Sequence, residues 1–272
     1  MTRALIVTGT HPRHLYVHRG ILDLFDDLFI VVMEREDVIP ITPDGLNSLD
    51  SRNHIRHFRE RALVEQSVYG DLSVSETFAD IRCLNASPEN LNSLTVYDAV
   101  KEFDADLAFV FGCNIIRDPL LSILPPTSIN LHLGLSPWYR GNATLFWPFY
   151  FMEPQFAGYT FHQLSEKPDA GEIIHQSYPD LLADDGIHDV GARCVTDAAI
   201  DARLLIRRLR DGVTIKGKTQ RTTGRVWRRS DFRPSHLRVI YSLFENDMVA
   251  HYLSDNLGSH RPMIHNGLSS VS

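Results

Sequence analysis

Short apolar runs alternate with longer amphipathic stretches along most of the chain. Ala4-Leu-Ile-Val-Thr8 predicts a strand, which enters the turn Gly9-Thr-His-Pro-Arg-His14. His18 to Leu24 predicts a helix, and Phe29-Ile-Val-Val-Met33 a second strand. Strand, turn, helix and strand in that order open a parallel α/β sheet. Glu34 to Ser51 holds Pro40, Pro43 and Gly45 and predicts a loop. Arg52 to Val68 is dense in charge at roughly helical spacing, and His57-Phe-Arg-Glu-Arg61 within it reads as a solvated helix face. Asp80 to Asn85 predicts a short strand, and Ser87 to Phe103 a helix capped by Ser87 before Pro88. Leu107-Ala-Phe-Val-Phe111 and Ser128-Ile-Asn-Leu131 are further strands, and the aromatic stretch Ala143 to Phe151 reads as a buried helix.

Gly158 to Leu164 alternates and predicts a strand, a loop spans Ser165 to Gly171, and Glu172-Ile-Ile-His-Gln176 predicts another strand. Ile187 to Leu209 predicts a long helix ending in Arg207, Arg208 and Arg210, cations favoured by the negative end of the helix dipole. The texture changes near Gly212. Thr214 to Thr219 and Gly224 to Arg229 predict two small strands, and a helix opens at Ser230 and runs to about Leu253. The tail from Gly258, rich in Ser, Gly, His and Asn, is expected to be mobile. The expected architecture is α/β. A mostly parallel sheet flanked by helices covers residues 1–210, and a small C-terminal α+β appendage of hairpin, helix and tail covers 211–272.

Composition narrows the function. The 272 residues are 43% hydrophobic and 22% charged, as in an ordinary globular chain. A net charge of −7 argues against a large phosphate-neutralising surface, so no nucleic-acid partner is expected. Cys83, Cys113 and Cys194 fit neither a disulfide framework nor a zinc spacing. The start, Met-Thr-Arg-Ala, lacks an apolar leader and no run reaches a membrane span, so the expectation is a cytoplasmic chain with no membrane partner. Strand edges and an apolar helix face in the appendage favour a homodimer.

The stretch Ser128 to Gly141 concentrates the candidate chemistry. Residues two apart on a strand share a face, so Asn130 and His132 project into one cleft. Asp169-Ala-Gly171 adds a carboxylate from a separate loop. In acyl transfer to an amine, Asn130 would donate to the developing oxyanion, His132 would take or give a proton, and Asp169 would favour the charged imidazole. Spacing alone leaves an unremarkable strand and loop open, and metal ligation by His132 and Asp169 as well. No G-x-G-x-x-G, G-x-S-x-G or H-E-x-x-H is present. Arg13 and His14, near a helix N-terminus, suit an anionic group.

Asn130-x-His132, then Pro137 and Arg140-Gly141, then Asp169-x-Gly171, resembles the signature of the 10-formyltetrahydrofolate-dependent formyltransferases. The resemblance implies a Rossmann-like formyltransferase domain, N10-formyltetrahydrofolate as formyl donor with no metal, and Asn130, His132 and Asp169 as the catalytic set. It also implies a pterin pocket made by Gly112, Cys113, Asn114, Ile115 and Ile116 on one side and the loop from Leu164 to Pro168 on the other, mainly through main-chain groups. Ser136 stands where the tRNA and purine enzymes carry Leu, and Asn142-Ala-Thr-Leu-Phe-Trp-Pro148 replaces the Gly-Ala-Ala-Pro common in the tRNA enzymes. These departures bear on the acceptor.

The tRNA enzymes continue into a larger basic barrel, and the glycinamide ribonucleotide enzymes carry a Gly-rich phosphate loop that Gly9-Thr-His-Pro-Arg-His14 lacks. The central motif, with Trp147 shortly after it, is similar to the sugar N-formyltransferases. That similarity implies a nucleotide-linked amino deoxysugar, such as a dTDP-amino sugar destined for surface glycans or natural products. Arg13, His14, Tyr139, Arg140 and Trp147 are then the candidate acceptor-binding residues, with Arg59 and Arg61 as further cations. A hydroxyornithine-type or ribonucleotide acceptor, a formyl-folate hydrolase and a non-catalytic folate- or nucleotide-binding regulator stay open.

Overall fold

The computed structural model describes residues 2–35, 37–221, 224–258 and 260–269. The chain runs β1 (Arg3–Gly9), α1 (Pro12–Arg19), β2 (Asp27–Met33), α2 (Ser48–Tyr69), the single-turn α3 (Val74–Thr77) and β3 (Arg82–Ala86). It continues with α4 (Leu94–Phe103), β4 (Leu107–Phe111), β5 (Ser128–His132), β6 (Tyr139–Gly141) and α5 (Phe146–Tyr150). Then come β7 (Tyr159–Gln163), β8 (Ile173–Ser177), α6 (Ile187–Arg210), β9 (Arg225–Trp227) and α7 (Met248–Leu253).

Seven strands form one sheet in the order β3-β2-β1-β4-β5-β7-β8. The first five are mutually parallel, and β7 joins β5 and β8 in antiparallel register. Strands at the centre of such a sheet are covered on both faces, which is why β4 reads Leu-Ala-Phe-Val-Phe without a polar break. Alternation sorts its residues. Phe109 and Phe111 pack beneath Ala198, Ala202 and Leu205 of α6, whereas Ala108 and Val110 meet Val96, Val100 and Phe103 of α4. The strand order reverses between β1 and β4, and the crevice beyond their carboxyl ends is where open α/β sheets bind ligands. Gly9 and Gly112 meet there.

Several local expectations change. α1 starts at Pro12, because proline suits the first turn of a helix, and only a short turn of 3-10 helix covers Leu22–Leu24. Ser93, not Ser87, caps α4, its Oγ accepting the Val96 N–H, and the Ser87 hydroxyl instead accepts the Asn90 N–H in a turn. The expected hairpin between 214–219 and 224–229 does not form among the described residues. Lys218 bridges to Ile173, and β9 pairs with β6 in parallel. The expected helix from Ser230 is broken into turns before α7. The tail also departs from expectation. Leu268 is buried in the main core, and His265 bonds to β8 through its main chain.

Candidate active site

β5 presents Asn130 and His132, and β7 sets His162 opposite the first and Thr160 opposite the second. His132 Nε2 lies 2.8 Å from the Tyr139 carbonyl oxygen. A carbonyl only accepts, so Nε2 carries the proton and Nδ1 of the neutral ring carries the lone pair. That Nδ1 faces Asp169 Oδ2 at 3.5 Å. Asp169 sits in the left-handed region (φ 48°), a conformation that short polar side chains tolerate. Its Oδ2 accepts the Gly141 N–H at 2.7 Å, Oδ1 lies 3.3 Å from His162 Nε2, and its carbonyl accepts from Gln220 Nε2 at 2.8 Å. The Gly141 N–H therefore fixes the carboxylate, and Gln220, distant in sequence, fixes the main chain that carries it.

Burial drives the His132 pKa down, and the Asp169 carboxylate and Tyr139 carbonyl oppose that shift without reversing it. The ring is neutral near pH 7. Burial alone would raise the Asp169 carboxyl, but the facing His132, the His162 ring and the Gly141 N–H outweigh it and hold the group well below the usual carboxylate range. A lone pair and an anion thus face each other with no proton between them. Such a pair attracts an N–H group and stabilises the proton it yields.

His162 Nδ1 donates to Gln163 O at 2.9 Å, so its Nε2 accepts from Asn130 Nδ2 at 3.0 Å. One amide hydrogen of Asn130 is spent in orienting the side chain, and the other remains for a ligand oxygen. Sequence reasoning missed His162. Its signal is the Thr160-x-His162 alternation on the strand that leads to Asp169, which places both residues on the face of the site.

Leu133 and Asn142, which directly follow His132 and Gly141 in sequence, line a cavity of about 330 Å³ together with Thr144. Its other walls carry Phe58, Phe146 and Phe232, the cations Arg13, Arg35, Arg61 and Arg229, and the histidines His11, His57 and His188. The stretch expected to be a solvated helix face therefore turns His57, Phe58 and Arg61 inward. His57 Nδ1 and His188 Nε2 share the Tyr241 hydroxyl, at 2.9 and 3.2 Å. Burial lowers both histidines, His188 to about 3.

The remaining candidates divide. Arg13 lines the cavity, but its Nη1 is paired with Glu65 Oε1 at 2.5 Å and its Nη2 contacts His11 Nδ1. His14 is buried against Gly112 and outside the cavity wall, with its pKa driven down first by burial and then by Arg13. Tyr139 contributes its carbonyl, while its hydroxyl donates to Glu153. Arg140 is 6% exposed, and its Nε has no hydrogen-bond partner among the described residues. Trp147 is corrected. It is 1% exposed, stacks on Trp227 with centroids 3.9 Å apart and gives its indole N–H to Asn142 O, so it is core and not a cavity wall. Arg59 is exposed.

At the switch point, the Asn114 side-chain oxygen accepts from Arg35 and the Ile115 carbonyl from Asn92. Ile116 is core, and Cys113 and Leu164 both pack on the apolar cluster that includes it. Pro168 is half-buried and directly precedes Asp169. Burial pushes the Cys113 thiol up to about 12, which keeps it uncharged. No helix among the described residues is long and apolar enough to cross a membrane.

Comparison with known proteins places this geometry. The N-formyltransferase from Helicobacter canadensis, solved with folinic acid and dTDP-3-aminofucose, is 14% identical with a TM-score of 0.58, over 96% of this chain and 84% of its own. A sugar N-formyltransferase from Shewanella is 18% identical with a TM-score of 0.56, over 89% and 88% of the two chains. Glycinamide ribonucleotide transformylase 1 from Symbiobacterium toebii is 18% identical with a TM-score of 0.54, over 81% and 93%. Identities this low speak to the fold. The formyl transferase family model matches residues 59–207, more than half of the chain and the segment that holds Asn130, His132 and Asp169. The chain belongs to the formyl transferase family and is a formyl-group transferase.

Proposed function

We propose that the chain moves the formyl group of N10-formyltetrahydrofolate to the primary amine of a nucleotide-linked amino deoxysugar. When bound, the folate supplies an activated formyl carbon. His132 Nδ1 takes the proton that the attacking amine must lose as its nitrogen bonds the formyl carbon, and Asp169 stabilises the imidazolium at 3.5 Å. That proton would pass to N10 as the carbon–N10 bond breaks and tetrahydrofolate leaves. The Asn130 N–H not used by His162 donates to the formyl oxygen as it gains charge. The loops at Gly112–Ile116 and Leu164–Pro168 would hold the pterin. They offer main-chain groups over an apolar floor and an uncharged thiol, which fits a flat heterocycle.

The observation that carries the acceptor class is the cavity beside the dyad. Its volume of about 330 Å³ lies in the range of small-molecule pockets, and it pairs aromatic walls with several arginines. Aromatic faces suit a nucleobase, and guanidinium groups suit a diphosphate. Two structures of the same fold were solved with matching ligands, one with dTDP and 5-N-formyl-THF and one with folinic acid and dTDP-3-aminofucose. The test is formyl-folate consumption against a panel of nucleotide-linked 3- and 4-amino sugars, glycinamide ribonucleotide, hydroxyornithine and a no-acceptor control. Turnover with an amino sugar alone supports the reading. Turnover with glycinamide ribonucleotide or hydroxyornithine replaces the acceptor, and release of formate in the control replaces transfer by hydrolysis.

A further inference from the structure

The segment after α7 is linked, through Gln176, to the turn that follows His132. The Gln176 N–H donates to His265 O at 2.8 Å, and Gln176 Oε1 accepts the His265 N–H at 3.2 Å. On its other side, Gln176 Nε2 donates to Ser136 O at 2.6 Å and to Thr160 Oγ1 at 3.1 Å. Thr160 Oγ1 then donates to Gly134 O at 2.7 Å and accepts the Ser136 N–H at 3.0 Å. A carbonyl cannot donate, so the Gln176 NH2 must face Ser136 and Oε1 must face the tail. The two side chains are 2% and 0% exposed, and the hydroxyl and the amide NH2 use every hydrogen they carry in these bonds. Breaking such a buried network strands polar groups out of reach of water.

The turn held in this way, Gly134 to Ser136, lies between His132 and Tyr139, whose carbonyl sets the Nε2–H tautomer. Ser136 Oγ also reaches Asp169 O at 3.4 Å. The tail is seated independently of Gln176. Leu268 is buried in the cluster of Ile174 and Ala202, and Arg208 Nη1 donates to Leu268 O at 2.6 Å. A Cβ on Gly267 would collide with Ile174 O, so the strand edge admits only glycine there.

We infer that residues 260–269 act as a strap whose main chain at His265 fixes the Gln176 side chain, and that Gln176 is a positioning residue for the turn that orients His132. Gln176 touches no reacting group. The inference rests on His132 as the base, so one of its tests is independent of any acceptor. In the full-length Gln176→Leu variant, volume is nearly kept and the side-chain bonds to Ser136, Thr160 and His265 are lost. With the acceptor found by the panel, kcat is expected to fall roughly tenfold to a hundredfold, the scale of a slightly misplaced catalytic group, while both KM values hold. The 15N spectrum of the His132 ring, recorded with no substrate, is expected to change from one Nε2–H tautomer to a mixture of tautomers. A chain ending at Leu257 is expected to show the same kcat loss. If that truncation fails to fold, Gln176→Leu decides, because it retains Leu268 and Gly267. A folded Gln176→Leu protein with unchanged kcat and an unchanged His132 spectrum would overturn the inference. So would a kcat loss no larger than the loss of folded protein.

Discussion

Asp169→Asn isolates the electrostatic part of the proposed chemistry. The substitution keeps the shape of the side chain and leaves an oxygen for the Gly141 N–H, but it removes the charge 3.5 Å from His132 Nδ1. At an effective dielectric near 20, two unit charges at that distance attract by about 5 kcal/mol. Asp169 and His132 are both largely buried, so little of that is screened away. The stabilisation acts only once Nδ1 has taken a proton, so it is expressed in the transition state and in kcat, with little effect on KM. A loss of roughly a thousandfold in kcat is expected. The pH profile gives a second readout with a definite sign. The carboxylate raises the His132 pKa against the effect of burial, so its removal moves the acid limb of kcat/KM to lower pH. Steady-state formyl transfer between about pH 5 and pH 9 measures both, with the melting temperature as a control for folding. A loss under tenfold, or an acid limb displaced to higher pH, would refute the reasoning.

Three further outcomes follow from the same structure. Arg229→Ala should raise KM for the nucleotide sugar roughly tenfold to a hundredfold with kcat unchanged, as expected for one lost charge-assisted hydrogen bond to phosphate, and an unchanged KM removes Arg229 from the acceptor site. His18 is buried, and burial lowers its pKa to about 3 against the opposing effect of the Phe111 main chain. Because the folded pKa lies below the unfolded value near 6.5, the stability that neutral His18 contributes is present above pH 6.5 and is lost as pH falls towards 3. His18→Leu should therefore gain on the native chain by as much as ~5 kcal/mol across that window, as read by denaturant melts, and a pH-independent difference would contradict it. Gly141→Ala should separate β6 from β9 and pull the Gly141 N–H from Asp169. Its φ is +93° and its Cβ would collide with Trp227 O. Lower thermal stability and lower kcat together are expected, and a native-like kcat would show that this N–H is dispensable.

The sheet is legible in the sequence because strands covered on both faces are mainly apolar, as the runs Ala4–Val7 of β1 and Leu107–Phe111 of β4 show. Strand alternation likewise puts Asn130 and His132 on one face from their spacing alone. What escapes is set by partners far away along the chain. β9 looks like half of a local hairpin, yet its hydrogen bonds go to β6. The charge on His57, Phe58 and Arg61's helix face suggests solvent, yet α6 and the C-terminal residues roof that face into a cavity. Trp147 looks like a stacking surface for a ligand, but Trp227 from β9 already occupies its face. The tail is polar in composition and is held through main-chain bonds at His265, which composition does not encode. His162 is readable as a strand residue, but its contacts with Asn130 and Asp169 depend on the β5–β7 register.

The most direct measurement is the mass of the sugar product formed with N10-formyltetrahydrofolate by the native chain and by His132→Asn, each at matched folded concentration. The account predicts a singly formylated amino sugar from the native chain, and a rate lowered by at least about a hundredfold when the base is absent. A variant that formylates the sugar at the native rate would show that His132 Nδ1 is not the proton acceptor.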